Sequence, residues 1–127
     1  MRKAALRIGI GSVGLALIWL GGQVGWWWMT PMVGLGIGVV LRPAWLALVV
    51  SLVVGGLGWG LPLALLAASA PVRHLASAVE SVMGLTATGG LVIMLATVLL
   101  GCILSIVGTW VGIAGKRLFP LHGTGRA

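Results

Sequence analysis

Hydrophobic positions along this chain come in long unbroken runs rather than in alternation. The stretches from Ile8 to Leu41, Pro43 to Val72 and Ser81 to Gly115 hold no Asp, Glu, Lys or Arg. Each exceeds the roughly 20 apolar residues that a helix needs to cross a bilayer. A membrane barrel would alternate over segments of about 10 residues between polar turns, and the chain shows no such pattern. The runs predict an all-α polytopic membrane protein, a single transmembrane domain with four transmembrane helices and one short amphipathic interfacial helix.

Glycine and proline place the ends. A first span over residues 4–22 leads into Gly21-Gly22-Gln23-Val24-Gly25 and then Trp26-Trp27-Trp28. A second span over 27–41 has Pro31 in its opening turn and ends at Arg42-Pro43, since proline disfavours helix at the residue before it. It is short, about 22 Å at 1.5 Å per residue. A third span covers 44–68. Ser69 and Pro71 then suit the start of an interfacial helix over 71–83. Its Val72, Leu75, Ala76, Val79, Val82 and Met83 share one face, while Arg73, Ser77, Glu80 and Ser81 occupy the other. Gly84 and Gly89-Gly90 turn the chain into a fourth span over 89–114, and residues 116–127 form a basic tail. An alternative division makes Gly55-Gly56-Leu57-Gly58-Trp59-Gly60 a loop between helices over 32–54 and 61–83. It would sink Arg42, Arg73 and Glu80 to membrane depth, at about 2.5–3.5 kcal/mol for each ionised residue.

Charge sets orientation. The net charge is +7 with one acid, Glu80. With both termini cytoplasmic, Arg2, Lys3, Arg7, Arg42, Lys116, Arg117 and Arg126 fall inside and only Arg73 outside, as the positive-inside rule requires. The expected location is an inner or plasma membrane. The basic residues lie at span ends, where they meet anionic headgroups, and form no patch interleaved with aromatics; nucleic acid is not an expected partner. Met1-Arg2-Lys3 before an apolar run imitates a signal peptide, but the run is too long and lacks a small-residue cleavage pattern, so it reads as an uncleaved anchor.

Composition narrows the chemistry further. Mean hydropathy is +1.20, and 7% of residues are charged against about 25% in soluble domains. Asp, Asn and Tyr are absent, which removes carboxylate pairs and Ser/His/Asp triads; no catalytic residue, metal site or cofactor is expected. His74 and His122 stand apart, and one histidine is not a metal site. Cys102, flanked by Gly101 and Ile103, reads as an inert packing thiol. Trp26, Trp27 and Trp28, with Arg42 at the other end of the second span, read as interfacial anchors. An aromatic cation cage needs converging rings, whereas consecutive helical residues point about 100° apart.

The 22 glycines are ordered. Gly101, Ser105, Gly108, Gly112 and Gly115 step by four, three, four and three along one face of the last span, and Ser51, Gly55 and Gly58 form a shorter line in the third. In lipid, such stripes let helix backbones approach closely. The expected role is therefore a non-enzymatic accessory, assembly or scaffold subunit, a homo-oligomer or part of a larger membrane complex, packing through these seams. The alternative is a small homo-oligomeric transporter or channel using Arg73, Ser77, Glu80 and Thr88. Glu80 itself reads first as a solvated residue on the polar face of the interfacial helix.

Overall fold

The computed structural model describes residues 2–68, 71–85 and 89–118. Within them the chain is all-helical, in the order α1 (Arg2–Val24), α2 (Met29–Val40), α3 (Ala44–Ala68), α4 (Pro71–Val82) and α5 (Leu91–Leu118). Three helices are long and apolar enough to cross a membrane: α1 over Ala4–Val24, α3 and α5. The expected second span falls short. Helix α2 has 12 residues, about 18 Å of rise, because Trp27 and Trp28 lie in the turn before it and Leu41 caps it. At the other extreme α5 runs a turn past the expected end at residue 114, carrying Lys116 and Arg117 in its last turn, where cations favour the negative end of the helix dipole.

Helix α3 is continuous through Gly55–Gly60, with Pro62 inside it, which overturns the alternative division with a loop there. Gly34 meets Ser105 and Gly38 meets Thr109, so α2 and α5 run parallel. Ser51 meets Ser105 and Gly60 faces Val98, so α3 and α5 run antiparallel. Likewise α1 runs with α3, through Gly11–Val54 and Ile18–Gly58, and against α2, through Gly21–Met29. Arg42 and Lys116 therefore share one end of the bundle, while α4 and the start of α5 lie at the other.

Two helices stop by the same device. At the end of α1 the Trp26 amide donates to the Gly21 carbonyl and Gly25 to Gly22; at the end of α4 Leu85 donates to Glu80 and Gly84 to Ser81. Gly25 and Gly84 have φ of +78° and +77°, the left-handed conformation that this double bond needs and that a side chain would strain.

The interior combines small and polar residues with a short aliphatic cluster of Ile18, Ile37, Leu41, Ala47 and Val54, and the outside is large and apolar. The largest fully buried side chains are Glu80, Thr30, Thr109, Ser51 and Ser105, whereas leucines, valines and tryptophans cover the flanks. That inversion suits a body whose surroundings are hydrocarbon, where buried hydroxyls bind helices together and apolar bulk gains nothing by hiding. Trp19, Trp26, Trp27 and Trp28 are exposed at one end of the bundle, and Trp45 and Trp110 towards the other. The triplet thus lies at the end of the bundle opposite Trp45 and Trp110.

Candidate functional site

The glycine seam finds its partner inside the chain. A Cβ on Gly34 would fall on the Ser105 carbonyl oxygen, one on Gly38 on that of Thr109, one on Gly108 on that of Pro31 and one on Gly112 on that of Leu35. Backbones of α2 and α5 thus touch over two turns. On the adjoining face Gly55 meets Gly101 and Ser105, the Trp59 ring lies over Gly101, and Ile18 of α1 fills the space above Gly58. Gly115 departs from the expectation: nothing lies within 4 Å of where its Cβ would be.

Hydroxyls lock this contact. Ser105 Oγ donates to the Ser51 carbonyl at 3.0 Å, which leaves the Ser51 hydroxyl to donate to Ser105 Oγ at 2.8 Å. Thr109 Oγ1 reaches both the Gly34 and the Ser105 carbonyls at 2.9 Å. Thr109 and Thr30 lay outside the expected stripes. The available signal was spacing, since Thr109 follows Ser105 by four and so shares its face.

Glu80 is buried, 1% exposed, and this corrects its reading as a solvated residue. Its carboxylate accepts the Gly90 amide at 2.7 Å and the Val92 amide at 2.9 Å. These are orphan donors at the start of α5, whose own capping position, Gly90, has no side chain to offer. The helix dipole there favours negative charge. Ala76 packs against Gly90 on the same line of α4, so the line that docks is Ala76–Glu80, while Leu75, Val79, Val82 and Met83 stay exposed as a lipid-facing stripe would be. Arg73 is exposed. The Ser77 hydroxyl donates back to the His74 carbonyl at 2.9 Å, a bond within its own helix. Thr88, the last of the expected polar group, and Ser69, the expected cap, lie outside the described residues.

Another concavity lies at the α4 end of the bundle, between α1, α2, α3 and α5. It holds about 360 Å³ and is walled by Trp19, Trp26, Trp27 and Trp59, with Gln23, Thr30 and Thr97 as polar edges. Its size is within the range of small-ligand pockets. Trp59 Nε1 donates to Thr30 Oγ1 at 3.0 Å and Thr97 Oγ1 to the Ile93 carbonyl at 2.8 Å, so the walls are fixed by bonds within the protein. The arrangement can hold an apolar or aromatic molecule with a single polar group near Gln23. Gly25 ends α1 before the tryptophans, so they are not spread around a helix as expected: Trp26 and Trp28 stack with centroids 5.5 Å apart and planes at 27°. Stacked rings present one face rather than a cage. Cys102 is half-buried, its thiol 3.8 Å from the Leu52 carbonyl between α3 and α5. No family model, curated protein or solved structure matches the chain.

Proposed function

We propose that the protein is a non-enzymatic, four-span membrane protein with both termini cytoplasmic, acting as an accessory or scaffold subunit. The observation that carries this reading is the outward face of α1. Ala5, Gly9, Ser12 and Ala16 step by four, three and four along it, all exposed, diametrically opposite the Gly14–Ile18 line that packs inward. Nothing lies within 4 Å of a Cβ on Gly9. This face offers another transmembrane helix the kind of approach that α2 and α5 already make to each other. Gly9→Ile in the full chain is expected to reduce capture of a defined partner protein at least about tenfold, a loss of roughly 1.4 kcal/mol, in native mass spectrometry after mild solubilisation. Unchanged association would exclude this face.

A homo-oligomeric transporter is the second reading, favoured by the tryptophan-walled cavity rather than by Glu80, whose carboxylate is occupied with the α5 amides. A stable homo-oligomer in the same measurement would support it. Orientation has its own test. Cysteines placed at Arg42 and Arg117 are expected to react with an impermeant maleimide from the cytoplasmic side and one at Arg73 only from the other; labelling of Arg42→Cys and Arg73→Cys from one side would refute four spans.

A further inference from the structure

We propose that the end of the bundle opposite α4 carries a specific site for an anionic glycerophospholipid, its phosphate held by Arg42, Lys116 and Arg117. These three cations, from the α2–α3 link and the last turn of α5, line one concavity of about 550 Å³. The Lys116 ammonium is 3.4 Å from the Leu41 carbonyl, which tethers it into that space. The only acidic side chain, Glu80, is at the far end capping α5, so no acidic side chain neutralises the group. Among the described residues nothing supplies the counter-charge, and an anion from outside can.

What makes the counter-ion a lipid is the neighbouring groove. A second concavity of about 490 Å³ shares Ala44, Ile113 and Arg117 with the first and continues between α3 and α5 past Leu48, Trp110 and Ala114. Its lining is apolar apart from Arg117. Leu48 and Trp110 lie further from the helix ends than the cations do, so the groove runs from the charged notch towards the centre of the spans. A cationic notch opening into an apolar groove matches the two halves of a phospholipid, phosphate above and acyl chain below. Basic pockets between transmembrane helices on the cytoplasmic side take such headgroups. The site is separate from the α1 face, and its failure would leave the accessory reading standing.

The test is native mass spectrometry of the full chain from nanodiscs holding equal phosphatidylglycerol and phosphatidylcholine. Intact protein is expected to retain phosphatidylglycerol selectively. Each of Arg42→Gln, Lys116→Gln and Arg117→Gln should cost about fivefold, and the triple variant on the order of a hundredfold. Arg7→Gln, a cation on α1, should leave the preference unchanged, and Arg42→Lys should keep most of it. Ala114→Trp, which fills the groove, should lower lipid retention while leaving competition by glycerol 3-phosphate intact. Equal retention of both lipids, or an undiminished preference in the triple variant, would overturn the proposal. So would full displacement of the lipid by millimolar inorganic phosphate, which would make the notch a phosphate site without use for the groove.

Discussion

Gly34→Leu is expected to abolish the folded helical body. The cost is steric and cannot relax, because the atom in the way is a backbone carbonyl oxygen, that of Ser105, rather than the tip of a side chain. To admit even a methyl group, α2 and α5 must separate along their whole contact, and Gly38, Gly108 and Gly112 lose their partners with it. The Thr109 bond to the Gly34 carbonyl breaks as well. In lipid these close contacts are the association energy itself, since hydrocarbon gives apolar side chains no reason to leave it. Overpacking costs about 1–3 kcal/mol in ordinary cores and more where the neighbour is rigid, so a loss above roughly 3 kcal/mol is expected. Intrinsic propensity acts the other way, favouring a non-glycine residue by up to about 1 kcal/mol in a helix interior. Gly36→Leu is the control: it gains that propensity, and nothing lies within 4 Å of where its Cβ would be. Thermal unfolding and protease resistance in mild detergent should separate the two variants, Gly34→Leu unfolded or degraded and Gly36→Leu close to the parent protein.

That contrast shows where the sequence was informative. Periodicity made the stripe from Gly101 to Gly112 visible, because small residues at four and three spacing have one geometric consequence, a flat helix face. It could not say what lies against that face, since a second copy, a foreign helix and α2 of the same chain ask for the same pattern. Only the turn at Leu41–Pro43 and the parallel run of α2 and α5 decide it. Helix positions were legible because the apolar runs leave a hydrogen-bonded backbone no alternative in lipid. Lengths were less so: α2 came out three residues shorter than expected because the tryptophans belong to the turn after Gly25. The same turn undid the argument from helical angles, allowing Trp26 and Trp28 to stack. The cationic notch was invisible as a site, because Arg42 is more than 70 residues from Lys116 and Arg117 and joins them only through the path of α3 and α5.

Glu80 was misplaced for a reason that the next helix explains. Amphipathic patterning judges a residue by its own helix, and on α4 a glutamate beside Arg73 and Ser77 belongs to the polar side. Its burial comes from α5, which begins at a glycine pair and lacks a capping side chain of its own, so the carboxylate ten residues back fills the role. Glu80→Ala is therefore expected to destabilise the α4–α5 corner by about 2–4 kcal/mol, from roughly 1–3 kcal/mol for each buried amide left without an acceptor, the Val92 amide being partly open. Glu80→Gln should lose less, keeping one oxygen to accept one of the two amides but turning its NH2 group towards the other. The signature is local: amide exchange at Gly90, Val92 and Met94 should accelerate first, while Ser105 and Thr109, deep in the α2–α5 contact, stay protected. If instead both variants keep normal exchange at the start of α5 yet abolish movement of a solute across proteoliposomes, the carboxylate is a transport group rather than a cap, and the second functional reading takes the place of the first.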